Sequence, residues 1–286
     1  MDDIDKLIDV ATQDSWHRRL PLIEVADIAE IQASERVLRE AFRAEGYNRR
    51  VARKKPFLNA DKKAKRLTWA QAHQHWTVED WRHVIWTDES YVRTTGLGGR
   101  VWVTRLSTEE YYEDCLVPKF EKKNSVMIWG AICGSNGGTK SPVVIWQRDD
   151  WGNINAGTYI KHVVHPILYP YWYECSNMDG IWHMVMEDGA AAHKALLTRQ
   201  AEEEYGIERL VWAASSPDLN PIETIWRILK QRINSRSPRP TTKEAVAQAI
   251  EEEWQSITSE EIVRIIDTMV DRVKAVIAAD GGHTRY

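Results

Sequence analysis

Three acidic residues stand where phosphate chemistry is done. Asp88 follows the apolar run His83-Val84-Ile85-Trp86-Thr87, Asp188 follows Ile181-Trp182-His183-Met184-Val185-Met186-Glu187, and Glu223 opens a helical pattern after Ser215-Ser216-Pro217-Asp218-Leu219-Asn220-Pro221. A short apolar run that ends in an acid reads as a strand buried on both faces that delivers its carboxylate to a sheet edge. Brought to one edge, three carboxylates can hold two divalent cations about 4 Å apart, which clamp a phosphodiester from both sides. Mg²⁺ suits such an all-oxygen set, and without a cation the three charges would repel one another. Each residue also has an ordinary reading: an acid at a strand end often just faces water. Asn220 is a good N-cap, Pro221 suits the first helical position, and Glu223 falls where a capping-box carboxylate reaches back to the cap. His193, five residues after Asp188, is a candidate to contact substrate phosphate or a metal-bound water; the alternative is a packing or capping histidine.

The elements that must position these groups alternate between strand and helix. Strands are expected at 83–87, 100–104, 125–133, 142–147, 181–187 and 208–212, with a turn at 96–99 and a polar excursion, Ser107 to Asn124, too long for a hairpin. Helices are expected at Ala60–His75 behind an Asn59 cap, at Thr158–His165 up to Pro166, and at Ala190–Tyr205 up to Gly206. Ile222, Ile225, Trp226, Leu229 and Ile233 repeat at helical spacing, and Thr241-x-x-Glu244 and Thr258-x-x-Glu261 open two more helices as capping boxes. His162 and His165 lack the further ligands that would complete a zinc set. Strands that alternate with helices and carry acids at their exits indicate an α/β fold with a site along one edge. Trp129 and Trp226 are expected in its core.

The N-terminal stretch differs. Asp5–Gln13, Pro21–Glu30 and a segment from the Ser34 cap to Gly46 form three short helical patterns with a tight junction between the last two, as in a helix-turn-helix. That arrangement would put Arg36, Arg39, Glu40, Arg43 and Asn48 near DNA; the alternative is a three-helix bundle with solvated charges. Tyr47 to Arg66 then holds Arg49, Arg50, Arg53, Lys54, Lys55, Lys62, Lys63, Lys65 and Arg66 against the single acid Asp61. Such a cluster gives phosphate affinity without base specificity. The expected organisation is a helix-turn-helix DNA-binding domain with a basic linker over 1–58 and a catalytic domain over 59–286.

Composition bounds these readings. In 286 residues, 38 basic against 42 acidic side chains give a formal charge of −4, so DNA affinity must come from local clusters. The acidic N-terminus carries no secretory leader, no apolar run reaches the length of a membrane span, and the three cysteines, Cys115, Cys133 and Cys175, form neither a disulfide framework nor a zinc motif.

Trp86-Thr87-Asp88-Glu89-Ser90, Met127-Ile128-Trp129-Gly130-Ala131-Ile132, Glu187-Asp188-Gly189-Ala190-Ala191-Ala192-His193 and Ser216-Pro217-Asp218-Leu219-Asn220-Pro221-Ile222-Glu223 resemble, in order, the signature blocks of Tc/mariner DNA transposases. The 34 residues between Asp188 and Glu223 match the Tc-like branch. Gly46-Tyr47-Asn48-Arg49-Arg50 with Lys55-Pro56 resembles the end of the family's second helix-turn-helix. The resemblance implies an RNase H-like catalytic domain, a central mixed sheet flanked by helices, in which Asp88, Asp188 and Glu223 hold Mg²⁺ or Mn²⁺. It further implies cutting of double-stranded DNA at terminal inverted repeats, joining of the 3′-hydroxyl ends to a TA target, a homodimer assembled on DNA and action in the nucleus. Arg36, Arg39, Arg43, Arg49, Arg50, Arg53, Lys54 and Lys55 are the expected DNA contacts. The chain departs from the family in starting at about the second helix-turn-helix unit, which predicts weaker repeat-end recognition, and in placing Gly189 where many relatives have Asn. The alternative function is a domesticated or defective copy that only binds DNA; an RNase H-type nuclease acting on RNA would leave the helix-turn-helix unexplained.

Overall fold

In the computed structural model, which describes residues 3–14, 16–49, 57–93 and 125–286, the chain divides into two units, Met1–Lys55 and Pro56–Tyr286. The first holds helices α1 (Asp3–Thr12), α2 (Leu22–Ile28) and α3 (Glu35–Ala44). Leu7, Leu20, Leu22, Val25, Ala26, Ala29, Leu38 and Phe42 close its core. Ser34 caps α3 by accepting from the Val37 N–H, and Gly46, at φ +81°, lets the chain turn out of the helix. The three expected helices are all present; α1 starts two residues earlier than its apolar pattern, and α2 and α3 are a little shorter than theirs.

The second unit begins with α4 (Ala60–Ala72), capped by Asn59, and α5 (Val78–Arg82), which opens on a Thr77–Asp80 capping box. Then come β1 (Val84–Arg93), β2 (Ser125–Cys133), β3 (Thr139–Lys140), β4 (Val144–Ile145), α6 (Arg148–Trp151) and α7 (Ala156–Tyr159). A π-helical stretch, Ile160–Leu168, leads into α8 (Tyr169–Asp179), followed by β5 (Met184–Met186), α9 (Ala191–Lys194), α10 (Leu196–Glu204) and β6 (Glu208–Arg209). A 3₁₀ turn at Pro217–Leu219 precedes α11 (Ile222–Asn234), α12 (Lys243–Ser256), α13 (Ser259–Ile266) and α14 (Met269–Ala278).

The strands form one mixed sheet in the order β3-β2-β1-β5-β6, with β4 also on β2. β1 is antiparallel to β2 and parallel to β5, which is parallel to β6. Both faces are covered. Trp86, Ile128, Ile132 and Met186 face a core closed by α11 to α14, whereas Ile85, Trp129, Ala131, Cys133 and Val185 face a second core closed by Tyr159, Val163, Leu168 and Trp172. This two-sided burial is why the central strands read as near-continuous apolar runs. Cys133 and Cys175 are free thiols buried in the second core.

Several expectations are corrected. β1 does not stop before Asp88 but runs to Arg93; Asp88 sits mid-strand, paired opposite Gly130. The strands expected at 142–147, 181–187 and 208–212 are shorter, with pairing confined to 144–145, 184–186 and 208–209. The helix expected to end before Pro166 runs through it to Asp179, because the wide π turn accommodates a residue without an N–H. The helix expected over 190–205 breaks at Ala195, whose ψ of 138° is extended. Thr242, not Thr241, caps α12, while Thr258 and Glu261 form the expected box. The expected turn at 96–99, strand at 100–104 and excursion at 107–124 lie outside the described residues. Among the described residues no helix is long and apolar enough to cross a membrane.

Gly130 has a specific reason to lack a side chain. Trp226 and Trp254 stack on each other, centroids 5.2 Å apart, with both rings against it. A Cβ there would come 2.9 Å from the Trp226 ring and 3.0 Å from that of Trp254. Neither ring can move without disturbing the core. Gly130→Ala is therefore expected to lower unfolding stability by about 1–3 kcal/mol, read as a reduced urea midpoint.

Candidate active site

The three acids meet through the sheet. β1 and β5 pair with a constant register, Val84 with Met184, Ile85 with Val185 and Trp86 with Met186. Carried two residues further, it sets Asp188 beside Asp88. Asp88 shares the face of Trp86, the side on which α11 packs Ile222, Ile225 and Trp226, so Glu223 in the first turn of α11 comes to the same face. Burial, first, and then the charges of Glu223, Glu89 and Asp188 push the Asp88 carboxyl well above the ordinary range. Burial likewise raises Glu223, against the opposing pull of Lys230. Asp188 is lowered instead, chiefly by its hydrogen bond with His193.

The Glu223 capping box is not formed. The Asn220 N–H goes to the Pro217 carbonyl at 3.1 Å rather than to Glu223. Asn220 itself sits at the start as expected, ahead of a helical Pro221: its Oδ1 accepts from the Ile222 N–H at 3.3 Å, and its Nδ2 donates to the Thr87 carbonyl at 3.2 Å. The helix start is thereby tied to the strand residue next to Asp88, and the Glu223 carboxylate is left for the cleft.

The loop before α11 is held by a buried ion pair. Arg66 on α4 is wholly buried and donates to both carboxylate oxygens of Asp218, at 2.8 and 2.7 Å. It also donates to the carbonyls of Gly281 and Gly282, and Thr284 donates to Asp218 at 2.8 Å. Arg272 donates to the Asp218 carbonyl at 2.8 Å. Burial opposes the charge on Asp218, yet Arg66 outweighs it and lowers the carboxyl. Arg66 thus leaves the basic cluster in which its sequence position put it.

His193 joins the two faces of the sheet. It is 2% exposed, with Nδ1 2.9 Å from Asp188 Oδ1 and Nε2 3.2 Å from Glu89 Oε1. Both ring nitrogens face carboxylates, so both donate. Burial works against this imidazolium, but the hydrogen bonds to Asp188 and Glu89 and the charges of Glu187 and Glu89 raise its pKa to about 11. Beneath it, Arg209 pairs with Glu187 at 2.7 Å and with Glu202, donates to the His193 carbonyl at 2.7 Å, and Tyr159 donates to Glu187.

Two more residues reach the site. Trp226 is core, as expected, but its indole N–H donates to Asp88 Oδ2 at 3.1 Å. Lys230 donates to Ser90 Oγ at 2.7 Å, and burial lowers its pKa against the attraction of Glu223 and Asp88. Both stand on the Glu223 face of α11, three and seven residues on, a spacing visible in the sequence. Elsewhere, Arg36, Arg39, Arg43 and Arg49 are exposed; Arg36 pairs with Glu40 and Arg39 with Glu35 along α3. Arg50, Arg53, Lys54 and Lys55 lie outside the described residues. His162 stacks on Trp151 at 4.0 Å and His165 bonds Tyr205 at 2.7 Å, so each has a structural partner.

A mixed sheet covered on both faces by helices, with an Asp on one central strand, a second Asp past its parallel neighbour and a Glu on the helix above, defines an RNase H-like endonuclease fold. A family profile described as DDE superfamily endonuclease matches residues 83–247, and one described as Transposase matches residues 18–75. The chain is 29% identical over 255 residues to the transposable element Tc1 transposase of Caenorhabditis elegans, covering 88% of each. It is 27% identical over 254 residues to the Tcb1 transposase of Caenorhabditis briggsae, again 88% of each. The solved Mos1 mariner paired end complex with Mn shares the fold at a TM-score of 0.76 and 16% identity, over 99% of this chain and 80% of that one. The chain belongs to the DDE superfamily endonucleases, in the Tc1/mariner type of transposases with a helix-turn-helix region.

The His193 network predicts a stability profile in metal-free protein. Because its folded pKa lies above the ordinary 6.5, its contribution is full below about pH 6.5 and fades as pH rises towards about 11. Asp188, lowered by the same bond, contributes above the ordinary carboxylate pKa and loses this in acid. Urea midpoints of the wild type should fall between pH 7 and 10 more steeply than those of His193→Gln.

Proposed function

We propose that Asp88, Asp188 and Glu223 hold Mg²⁺ or Mn²⁺ and that this chain cuts DNA at terminal inverted repeats and joins the freed 3′-hydroxyl ends to a TA target. The observation that carries the reading is Asp88: half-buried among Glu223, Glu89 and Asp188, it is pushed towards protonation by burial and by their charge. Carboxylates gathered at such a cost fit a divalent cation, and an all-oxygen donor set fits Mg²⁺ or Mn²⁺. Bound ions would neutralise the phosphodiester and activate the attacking oxygen.

The chain's own side chains hold that set in place. Trp226 donates to one oxygen of Asp88 and His193 to one oxygen of Asp188, fixing how each carboxylate faces the cleft. Asn220 fixes the start of α11 against Thr87, so Glu223 keeps its position relative to Asp88. Lys230, on the same helix face, places a positive charge beside the acids and suits a phosphate oxygen of the substrate strand. Preorganisation of this kind is what phosphoryl transfer asks of a protein, since positioning and charge stabilisation supply most of the rate. The exposed face of α3, with Arg36, Arg39 and Arg43, and Arg49 beyond it, supports phosphate and groove contacts, joined in this reading by Arg50, Arg53, Lys54 and Lys55. The Mos1 neighbours are paired-end complexes, among them ones with Mg and with Mn; the same cofactors, a homodimer on DNA and a nuclear site of action belong to this proposal.

Glu223→Gln keeps size and hydrogen-bonding capacity while removing a charge. It should leave stability nearly unchanged and slow Mg²⁺-dependent cutting of repeat-end DNA by on the order of 10³-fold or more. Cutting at wild-type rate would defeat the proposal, and metal-independent binding with no cutting by the wild type would favour a protein that only binds DNA. Arg36→Ala, Arg39→Ala and Arg43→Ala should each weaken binding to all sequences and flatten the plot of log affinity against log salt by about one unit per lost phosphate contact.

A further inference from the structure

The opposite end of the two central strands carries a second cluster. His83 stands one residue before β1 and His183 one residue before β5, so the register that pairs Val84 with Met184 also brings these imidazoles together, ring centroids 5.2 Å apart. Asp179, the last residue of α8, reaches between them: its Oδ2 lies 3.7 Å from His83 Nε2 and 3.5 Å from His183 Nε2. Glu79 on α5 adds a second carboxylate, its Oε1 3.8 Å from His83 Nε2.

Tautomers decide what these groups offer. His83 Nδ1 lies 2.9 Å from the Glu79 carbonyl and His183 Nδ1 2.9 Å from the Ile181 carbonyl. A carbonyl only accepts, so each Nδ1 carries a proton, and in the neutral tautomer this selects each ring would offer an Nε2 lone pair on the side of Asp179. Asp179 is oriented as well: its Oδ1 accepts from the Ile181 N–H at 2.9 Å and Oδ2 faces both rings. Two lone pairs and an anionic oxygen converge, met in the metal-free protein by the Ser135 hydroxyl at His183 Nε2, 2.9 Å, and the Asn136 amide at Asp179 Oδ2, 3.4 Å, donors that a cation would displace. Backbone carbonyls that hold Nδ1–H and aim Nε2 inwards are the usual support of metal-binding histidines.

We propose that His83, His183 and Asp179 form a zinc site, distinct from the carboxylate triad and independent of its reading. Ligands at about 2.0–2.1 Å from a tetrahedral Zn²⁺ lie about 3.3 Å from one another; the two edges to Asp179, 3.5 and 3.7 Å, need only a small contraction, and the three ligand atoms all lie within 4.8 Å of one another. Nitrogen and carboxylate oxygen are ligands zinc accepts, and a water would complete the tetrahedron, with Glu79 at its edge beside His83. Ser135 Oγ, 2.9 Å from His183 Nε2, donates to that lone pair in the metal-free protein and swings towards Cys133 Sγ, 3.3 Å away, when the ion binds. Asp88 lies five residues along from His83, roughly 16 Å of strand, so the two sites do not share ligands. The ion would pin α5, β1, α8 and β5 together at the end of the sheet remote from the triad.

The test uses the full chain, stripped with a chelator and dialysed against micromolar Zn²⁺ in millimolar Mg²⁺, with bound zinc counted by mass spectrometry. The wild type and Glu223→Gln should each retain one equivalent and melt at higher temperature with zinc; His83→Gln and Asp179→Asn should lose both the equivalent and the rise, while melting like the wild type in chelator. Co²⁺ in the wild type should give the intense visible bands of a tetrahedral site, a reading that does not depend on any variant folding. Failure of the wild type to retain zinc, retention by Asp179→Asn with loss in Glu223→Gln, or a weak octahedral Co²⁺ spectrum would overturn the proposal.

Discussion

The parallel pairing of β1 with β5 is the constraint on which the rest of the second unit depends. One register fixes both ends of the strand pair: it sets Asp188 beside Asp88 at one end and His183 beside His83 at the other. It also settles which side chains share a face, because side chains alternate along each strand. Asp88 falls on the side of α11, and Glu89, its neighbour, on the side of Tyr159 and His193. A slip of one residue would exchange the two faces, drive Trp86 into the smaller second core and turn Asp88 away from α11, so packing on both sides holds the register firmly.

Charge around the triad is arranged in two layers. On the α11 side the acids have few compensating groups: Trp226 gives Asp88 one neutral donor and Lys230 offers a single, partly desolvated cation. On the other side Glu89, Glu187 and Glu202 are matched by His193 and Arg209. The first layer is left short of positive charge and the second is nearly neutral, so the unsatisfied field points into the cleft. His193 connects the layers by neutralising Glu89 while fixing Asp188. A buried ion pair alone is weak evidence for stability, but Arg66 with Asp218 also binds the Gly281 and Gly282 carbonyls. That pair therefore serves to hold the loop leading to Glu223 in a single arrangement.

Local chemistry made much of this legible before folding. Apolar runs marked the buried strands because both faces are covered, helical spacing marked α11, and Ser34, Asn59 and Thr258 announced helix starts through bonds spanning only three residues. Asp88, Asp188 and Glu223 stood out because each follows or opens such an element. Asp88 was misplaced only in being expected at a strand end, since the apolar run stops where β1 becomes half-exposed although its pairing to β2 continues.

The sequence by itself therefore determined the element types, the three acids and the exposed basic face of α3, all properties of neighbours along the chain. Tertiary structure decided which of the candidate groups serve what end. Arg66, one arginine among many, is buried against a partner more than a hundred residues away. Glu223 is released from capping because the Asn220 N–H goes to Pro217 while its side chain ties the helix start to Thr87, and Trp226 is more than core because Asp88 comes within reach of its N–H. His83, Asp179 and His183 read as unrelated polar residues until parallel pairing gathers them. The physical reason is common to all: local patterns encode which face of an element is apolar, while the partner of a polar group depends on which distant element is packed against it.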